Sequence, residues 1–482
     1  MSTIAHERFE AVIGLEVHAQ LLTKSKAFAP VAAQYGEAPN TQITPLCIGH
    51  PGTLPVVNEN LVRYIIKMGL ATGSSIAPKS IFARKNYFYP DLPKGYQISQ
   101  FDTPICFEGF LDIELEEYDK RIGITRIHME EDAGKSIHDQ DPYNTLVDLN
   151  RAGTPLIEIV SEPDLRTPQE AYAYLTKIKQ IVQYLEVCDG NMEEGSLRCD
   201  ANVSVRPRGQ EKLGTRTELK NMNSFRNVEK AIEFEIYRQI ELIEGGGEVV
   251  QQTRLWDTTK MQTRVMRSKE EAHDYRYFPE PDLPPIIVSE ELLAEIKAEL
   301  PELADVRQKR FVEEYGMSAV DAITITEDRY LADYFEEVAK FAGNPKAASN
   351  VVLSEVLRVL NEQSIDIGEF SISPERLAVL IKLKEDDKVN SSALQEVFNA
   401  MLTSDKEAEV LAKEMNLIQV SDTGFLETLV DEIIANNPDE AQRYREGKKQ
   451  LMGFFVGQAM KESKGQANPK MITQMIIKKL EG

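Results

Sequence analysis

The sequence has no apolar run of about 18 residues, the length that a membrane-spanning helix needs, so we expect no transmembrane helix. Residues 1–10 are largely polar and lack a basic start followed by an apolar run, so we expect no secretory signal. Cysteine is scarce: Cys47, Cys106, Cys188 and Cys199 are scattered, and none pair at the two-residue spacing of zinc knuckles. Few, scattered cysteines in a chain of 482 residues are typical of a reduced, cytoplasmic protein.

Basic residues are outnumbered by acidic ones. The 55 Lys and Arg residues against 78 Asp and Glu residues leave a net charge of −23. This balance argues against a general nucleic-acid coat, because binding to phosphates needs clustered Lys and Arg. A hydrophobic content of 42% is close to that of globular proteins and excludes wholesale disorder. The length predicts about two to four domains.

Two unlike parts follow one another along the chain. Up to about residue 292, short alternating runs separated by Gly, Pro and Asn predict a strand-rich domain with a few helices. One helix is predicted after Thr167 and extends to about Glu186, and another over residues 225–244. Beyond Pro284-Pro285 the chain is rich in Ala, Leu, Glu and Lys with helical spacing.

The last 40 residues depart from the acidic balance of the rest. Residues 443–482 contain nine basic and three acidic residues, a net charge of +6. The lysines of this segment are Lys448, Lys449, Lys461, Lys464, Lys470, Lys478 and Lys479. A basic segment at the end of an acidic chain indicates an anionic partner, although an ordinary solvated helical surface explains it equally well.

Several predicted strands are apolar on one face and polar on the other, since successive strand side chains point to opposite faces. The polar faces carry Glu16, His18, Asp200, Glu218 and Lys220, and another strand ends in Glu130 and Glu131. If these strands share a sheet, their carboxylates and one imidazole form an oxygen-rich site that suits Mg²⁺ or Mn²⁺. Neighbouring Arg and Lys suit nucleotide phosphates, so the pattern favours ATP-dependent phosphoryl transfer. The alternative is a solvated sheet face with ordinary cross-strand ion pairs.

Seven longer segments are more specific than this periodicity. They are residues 9–18 (FEAVIGLEVH), 84–100 (RKNYFYPDLPKGYQISQ), 128–136 (HMEEDAGKS), 147–163 (VDLNRAGTPLIEIVSEP), 193–202 (EEGSLRCDAN), 218–225 (ELKNMNSF) and 274–282 (DYRYFPEPD). Together they closely resemble the B-subunit family of the tRNA-dependent Asp/Glu-tRNA(Asn/Gln) amidotransferases. The resemblance covers essentially the whole chain.

The resemblance implies a heterotrimeric ligase. In this family, the B subunit recognises tRNA(Gln) or tRNA(Asn) misacylated with Glu or Asp, and uses ATP and Mg²⁺ to phosphorylate the side-chain carboxylate. Ammonia that the A subunit, an amidase, releases from glutamine then displaces the phosphate, and the small C subunit tethers the other two. No membrane partner is implied.

The resemblance also implies an α+β fold and specific residues. It predicts an antiparallel-sheet cradle similar to glutamine synthetase over residues 1–292, an all-helical domain over 293–406 and a helical, tRNA-binding tail domain over 407–482. The implied catalytic and metal-binding residues are Glu16, His18, Glu131, Asp200 and Glu218, with Glu130 and Glu158 as further metal ligands. Arg151, Arg198 and Lys220 are expected to bind the nucleotide, and Lys448, Lys449, Lys461, Lys464 and Lys470 to bind tRNA. The sequence leaves open which arginine contacts ATP; the alternatives are Arg84, Arg151, Arg198, Arg254, Arg264 and Arg276.

One segment departs from part of the family. Some relatives carry Cys-x-x-Cys before a Pro-Gly turn as part of a structural zinc site. Here the segment reads Thr44-Pro45-Leu46-Cys47, which lacks one ligand. We therefore expect no zinc.

Two other functional hypotheses remain open from the sequence. The chain could be a non-catalytic RNA-binding scaffold that recruits an amidase, but a scaffold does not need the set of metal-type ligands. It could also be a stand-alone ATP-dependent ligase of small amino acids, against which the basic C-terminal segment argues.

Overall fold

The computed structural model describes residues 7–268, 275–419, 423–463 and 467–481. Lys464, one of the residues expected to bind tRNA, lies outside these ranges. The chain divides into two compact units, Met1–Leu303 and Ala304–Gly482. Within those four ranges, no helix combines the length and the apolar character needed to cross a membrane.

The first unit is built on a large sheet. The strands of the chain are β1 (Phe9–Gln20), β2 (Ser75–Ile76), β3 (Lys79–Ser80), β4 (Ala83–Asn86), β5 (Tyr96–Ser99), β6 (Cys106–Glu114), β7 (Asp119–Glu131), β8 (Lys135–Ile137), β9 (Leu146–Asp148), β10 (Pro155–Ser161), β11 (Leu197–Pro207), β12 (Thr217–Lys220), β13 (Gln252–Asp257), β14 (Gln262–Ser268), β15 (Phe278–Pro279) and β16 (Ile286–Ile287). Among the described residues, twelve strands join in the order β14-β13-β12-β11-β1-β10-β7-β5-β4-β15, with β6 paired to β7 and β2 to β6. The remaining strands form two small pairs, β3 with β16 and β8 with β9.

The large sheet is mixed, which corrects the expectation of an antiparallel sheet. Most neighbouring strands run antiparallel, but β12 and β13 are parallel. A helix, Phe225–Glu244, lies between them in sequence, and a crossover of this kind returns the chain in the same direction.

The helices of the first unit share one hydrophobic core with the apolar face of the sheet. They are α1 (Glu59–Ala71), α2 (Pro168–Tyr184), α3 (Phe225–Glu244) and α4 (Glu290–Ala298). The two helices predicted from the sequence are confirmed. At the start of α2, the Thr167 hydroxyl accepts a hydrogen bond from the Glu170 amide at 3.1 Å. At the start of α3, the Ser224 hydroxyl accepts one from the Asn227 amide at 3.2 Å.

Strand β1 shows how this packing orients the polar side chains. Its residues Ile13, Leu15 and Val17 are fully buried in the hydrophobic core of the first unit. The strand alternation then directs Glu16 and His18 to the opposite face, where both are only partly buried. The apolar residues therefore decide which face of the sheet carries the ligand-type side chains.

The second unit is helical, as the composition predicts. Its helices are α5 (Ala304–Tyr315), α6 (Ala319–Thr326), α7 (Arg329–Ala342), α8 (Pro345–Val351), α9 (Leu357–Gln363), α10 (Pro374–Glu385), α11 (Ser391–Met401), α12 (Ala408–Glu414), α13 (Thr423–Asn436), α14 (Pro438–Arg445), α15 (Met452–Glu462) and α16 (Pro469–Glu481). A π-helical turn, Val352–Val356, joins α8 to α9, and 3₁₀ turns occupy Ile367–Glu369 and Lys449–Leu451.

Two hydrophobic clusters stabilise the second unit. One lies within residues 311–412 and the other within 426–480. Next to the first cluster, the Arg307 guanidinium is almost fully buried and lies 2.6 Å from an Asp333 carboxylate oxygen and 2.5 Å from one of Glu336. The division between an all-helical domain at 293–406 and a tail at 407–482 stays a prediction.

The helix α4 packs in the core of the first unit through Ile296.

Candidate active site

The strand register brings the predicted polar residues to one face of the large sheet. On β1, His18 is paired with Glu158 of β10 on one side and with Arg198 of β11 on the other. Two residues earlier, Glu16 is paired with Asp200 of β11. Residues directly opposite each other on neighbouring strands have their side chains on the same face.

Three of these side chains form a first group of ligand-type atoms, which we call the His18 group: His18, Glu130 and Glu158. One ligand atom from each lies within 4.8 Å of those of the other two. The His18 Nε2 atom lies 3.3 Å from Glu158 Oε2. Glu130 and Glu158 are almost fully buried, whereas His18 is partly exposed. The group is thus reached from solvent on the His18 side.

Polar neighbours hold the Glu130 carboxylate in place. The Lys85 ammonium lies 3.1 Å from Glu130 Oε1, and the Ser99 hydroxyl donates to the same oxygen at 3.1 Å. The Gln97 side-chain amide donates to Glu130 Oε2 at 2.9 Å. On the other side, His128 Nε2 lies 3.7 Å from Glu130 Oε1 and 3.6 Å from Glu158 Oε2. His128 therefore bridges the two carboxylates of the group.

The charges of these neighbours keep the two carboxylates of the His18 group ionised. Burial alone raises the pKa of Glu130, but the nearby Lys85 and His128 reverse this and hold that pKa well below its usual value. The pKa of Glu158 is lowered in the same way, against burial, by His128 and His18. Burial lowers the pKa of His18, but the hydrogen bond and charge of Glu158 outweigh it and leave that pKa raised.

A second group of ligand atoms, which we call the Glu16 group, contains Glu16, Asp200 and Glu218. One ligand atom of each again lies within 4.8 Å of the others. The Lys220 ammonium contacts Asp200 and lies 3.0 Å from Glu218 Oε1. The Asn202 side-chain amide donates to Glu16 Oε1 at 2.9 Å. All three carboxylates are partly exposed.

The carboxylates of the Glu16 group repel one another, and Lys220 opposes this repulsion. Burial raises the pKa of Glu16, and the charges of Glu158, Asp200 and Glu218 raise it further, while Lys220 opposes them. The pKa of Lys220 is raised by Asp200 and Glu218, which outweigh the opposite effect of burial. An arrangement of this kind attracts an added cation.

Glu131 lies apart from both groups, although the resemblance gives it a catalytic role. Its carboxylate accepts a hydrogen bond from the Ile98 amide at 2.9 Å and contacts the Lys94 ammonium. It lines a small cavity with Lys26, Lys94 and Asp132. Among the described residues, it is the neighbouring Glu130 that joins a group of ligand atoms.

Of the cations expected to bind the nucleotide, Lys220 lies in the Glu16 group, while Arg151 and Arg198 meet at Asp132. The Arg198 Nη2 atom donates to Asp132 Oδ2 at 2.7 Å, and Arg151 Nε lies 3.5 Å from the same oxygen. Arg151 also donates to the Gly134 carbonyl at 2.6 Å. Both arginines are partly exposed, and Arg198 lies beside His18 as its register partner on β11.

The tail lysines that the structure describes differ in their contacts. Lys448 and Lys461 are exposed. Lys449 forms an ion pair with Glu481, and its ammonium lies 4.4 Å from the centre of the Tyr444 ring. Lys470 Nζ lies 2.9 Å from Asp387 Oδ1.

The segment considered for zinc contains a buried thiol. Cys47 Sγ lies 3.6 Å from the Lys26 ammonium and 3.4 Å from the Thr44 hydroxyl. Neither group of ligand atoms found in the described part of the chain includes Cys47. The expectation of no zinc stays a prediction.

The donor atoms of both groups fit a hard divalent cation. The His18 group offers two carboxylates and an imidazole, and the Glu16 group three carboxylates. Oxygen-rich sets of this kind suit Mg²⁺ or Mn²⁺ better than zinc, which favours sulfur and nitrogen. The ion pairs with Lys85 and Lys220 place further positive charge at the same face. Such a face can bind and neutralise a polyphosphate.

Four residues that contact the Glu130 carboxylate were not assigned a role from the sequence: Lys85, Gln97, Ser99 and His128. Lys85, Gln97 and Ser99 lie within the segment RKNYFYPDLPKGYQISQ, and His128 begins HMEEDAGKS. The available signal was the alternation in β7, which places His128 and Glu130 on one face and Glu131 on the other.

Comparison with known proteins gives a consistent result over both units. A family described as the GatB/GatE catalytic domain matches residues 11–294, which contain both groups of ligand atoms. A second family, described as the GatB domain, matches residues 333–480.

Three of the curated relatives illustrate a similarity that extends over nearly the full length, and each is named as the B subunit of an aspartyl/glutamyl-tRNA(Asn/Gln) amidotransferase. The protein of Chlorobium luteolum is 56% identical over 475 residues, which cover 98% of this chain and 100% of the relative. The protein of Halorhodospira halophila is 56% identical over 477 residues, with the same coverage of 98% and 100%. The protein of Thermodesulfovibrio yellowstonii is 53% identical over 474 residues, again 98% and 100%.

Proposed function

Because the chain belongs to the GatB family of tRNA-dependent amidotransferase B subunits, we propose that it activates the side-chain carboxylate of Glu-tRNA(Gln), Asp-tRNA(Asn) or both by phosphorylation with ATP. The observation that carries this proposal is the pair of ligand groups on one sheet face, flanked by Lys85 and Lys220. Amidase and tether subunits would complete the enzyme.

The residues of the two groups are those that would hold Mg²⁺. His18, Glu130 and Glu158 would hold one ion, and Glu16, Asp200 and Glu218 would hold another. Bound magnesium supplies neutralisation of the phosphate charge during transfer. The carboxylates of the His18 group are ionised at neutral pH, since their pKa values are lowered, so they are ready to bind a cation.

The proposed reaction explains why a face that binds phosphate is sufficient to activate the carboxylate. A carboxylate reacts poorly with ammonia because oxide would have to leave. Attack of a carboxylate oxygen on the γ-phosphorus breaks the bond to the bridging oxygen, releases ADP and leaves an acyl phosphate. Ammonia then attacks the carbonyl carbon, loses a proton and releases inorganic phosphate, which leaves the amide.

The chain's own residues have positioning and electrostatic roles in this scheme. The attacking carboxylate is already ionised at neutral pH, so no general base has to deprotonate it. Lys85 and Lys220 would neutralise phosphate oxygens, and both remain charged because their pKa values are raised by the adjoining carboxylates. Arg198, beside His18, and Arg151, which shares Asp132 with it, would contact the nucleotide.

The test uses the chain assembled with its amidase and tether subunits, Glu-tRNA(Gln), Mg²⁺ and γ-labelled ATP, without glutamine. We expect ADP formation that depends on the charged tRNA. Glu158→Gln keeps the side-chain shape but removes a charged ligand atom, and should lower the rate by more than about a hundredfold. Glu114→Gln is the matched control, because Glu114 is an exposed carboxylate on β6 and lies in neither group.

Three results would contradict the proposal. If the assembled complex binds tRNA but never forms ADP in a tRNA-dependent manner, the chain acts as an RNA-binding scaffold. If Glu158→Gln keeps the full rate, the kinase site lies elsewhere. Activity that stays unchanged after deletion of residues 407–482 would favour a stand-alone ligase of small amino acids.

A further inference from the structure

An aromatic platform adjoins the His18 group, and we define it as Phe101, Tyr275 and Tyr277. The rings of Phe101 and Tyr277 stack face to face, with centroids 4.2 Å apart and planes 8° from parallel. The Tyr275 ring contacts Tyr277 edge to face, with centroids 6.0 Å apart. The Lys85 ammonium lies 5.2 Å from the centre of the Tyr275 ring and 3.1 Å from Glu130 Oε1. One lysine side chain therefore links the platform to the His18 group.

The segment that carries the two tyrosines is held in a defined conformation. The Asn86 amide donates to the Tyr275 carbonyl at 3.0 Å, and its side chain donates to the Arg276 carbonyl at 2.9 Å. Arg276 itself has a φ of 45°, in the left-handed region that a residue with a β-carbon adopts at an energetic cost. The hydrogen bonds from Asn86 maintain this conformation, so the platform is formed before a ligand arrives.

The outer part of the platform faces solvent. Phe101 is 50% exposed, and both tyrosines are partly exposed. One face of the Phe101 ring is covered by Tyr277, which leaves a flat apolar surface beside the phosphoryl-transfer face. Arg276 is exposed within the same segment and, with Lys85, borders the platform with positive charge.

We infer that the aromatic platform stacks the unpaired 3′-terminal base of the aminoacyl-tRNA. This inference rests on the proposed function. The carboxylate to be phosphorylated and the terminal ribose belong to one aminoacyl ester, so the terminal nucleotide must lie next to the ligand groups. Unpaired bases stack on aromatic side chains, and the cations Arg276 and Lys85 complement the negative phosphodiester of that nucleotide.

The direct test follows stacking without requiring catalysis. The full chain, assembled with its amidase and tether subunits, is mixed with tRNA that carries 2-aminopurine as its terminal base. We expect the fluorescence to be quenched by the wild type and by Phe101→Trp, which keeps a flat ring. Phe101→Leu should lose the quenching and raise the KM for aminoacyl-tRNA about tenfold with an unchanged KM for ATP. Tyr143→Leu is the control, because Tyr143 is an exposed ring in a different loop.

Three other outcomes would overturn the inference. Absence of quenching by the wild type would exclude stacking even where ATP turnover is normal. A raised KM for ATP alone in Phe101→Leu would assign the platform to the adenine of ATP, and failure of the variant to assemble would assign it to a contact with another subunit. Quenching without tRNA-dependent ADP formation would instead disprove the proposed kinase function and leave the stacking intact.

Discussion

The Glu16 group should destabilise the metal-free protein, and Glu16→Gln should relieve this. Ligand atoms of the three carboxylates lie within 4.8 Å of one another. Two unit charges at that distance repel by about 3 kcal/mol at an effective dielectric constant of 20. Lys220 offsets much of this repulsion, and partial solvent exposure screens the rest. We therefore expect the free energy of unfolding of Glu16→Gln to be about 1 kcal/mol higher than that of the wild type.

The unfolding of the first unit can be followed separately from that of the second. The chain has one tryptophan, Trp256 on β13, which is 2% exposed in the core of the first unit. Urea unfolding monitored by its fluorescence, with a chelator present, measures the effect of Glu16→Gln. Glu114→Gln, which removes one exposed charge outside both groups, should change the free energy by less than about 0.5 kcal/mol.

Magnesium should reverse the order of stability. At a concentration a hundredfold above its dissociation constant, an ion bound only to the folded state adds about 2.7 kcal/mol. The wild type gains this from the Glu16 group, whereas the variant, with a neutral amide, does not. A variant that is less stable than the wild type in chelator would refute the repulsion argument. Equal gains from magnesium in both proteins would refute the assignment of Glu16 as a ligand.

The stability difference in chelator should also depend on pH. Burial and the neighbouring carboxylates raise the pKa of Glu16 in the folded protein above its ordinary value. As the pH rises, the Glu16 carboxyl therefore loses its proton in the unfolded chain before it does so in the folded protein. The wild type loses stability as the pH rises from about 4.3, the ordinary value, through the raised pKa. Below that window the wild type and Glu16→Gln should have the same stability, and above it the variant should be more stable.

Three further predictions test other parts of the chain. Glu130→Gln should weaken Mn²⁺ binding about a hundredfold in calorimetric titration, and Glu131→Gln should change it by less than about twofold, because only Glu130 lies in the His18 group. Arg307→Met should lower the free energy of unfolding of the second unit by about 1 kcal/mol, measured by circular dichroism in urea, since it removes the cation shared by Asp333 and Glu336, while Glu336 keeps its ion pair with Arg310. The double variant Lys448→Ala, Lys461→Ala should weaken tRNA binding and lower the slope of log affinity against log salt by about 1.5, measured by filter binding.

Each of these has a contradicting result. Equal losses of Mn²⁺ affinity in both glutamate variants would return Glu131 to the site. An unchanged unfolding curve for Arg307→Met would show that its ion pairs contribute nothing to stability. The control is the double variant Lys449→Ala, Lys470→Ala. If its salt slope falls as much as that of the Lys448→Ala, Lys461→Ala variant, the ion pairs of Lys449 and Lys470 do not keep these lysines from binding tRNA.

Local periodicity was sufficient to predict which face of each strand carries the site. Buried and partly buried residues alternate from Ile13 to Gln20 in β1 and from Leu197 to Val203 in β11, so Glu16, His18 and Asp200 could be assigned to the polar face before any tertiary structure was known. The helices after Thr167 and Ser224 were predictable for a similar reason, because their capping residues are local signals.

Long-range register was not predictable from the sequence. The period of two gives the face of a residue but not its neighbours, which depend on strand order and pairing. The contact of Lys85 with Glu130 requires that β4, β5 and β7 lie side by side, although their residues are far apart in the chain. The parallel pairing of β12 with β13 likewise depends on the path of the helix between them.

The choice between Glu130 and Glu131 shows how one register decides chemistry. The two carboxylates are adjacent on β7, so they point to opposite faces, and a shift of one residue would exchange them. The pairing of Ser99 with Glu130 directs Glu130 toward Lys85 and the His18 group, while Glu131 turns to Lys94. Sequence alone contained both residues and no information on the pairing.

The hydrophobic core also determines the geometry of the ligand groups, because both depend on β1. His18 belongs to one group and Glu16 to the other, and they lie two residues apart on the same strand. A slip of β1 by one residue would move both side chains to the apolar face at once. Such a slip would also move Leu15 and Val17, which are fully buried, into solvent, at a cost of about 1.5–3 kcal/mol for each side chain. The apolar residues of β1 therefore hold Glu16 in register with Asp200 and His18 in register with Glu158.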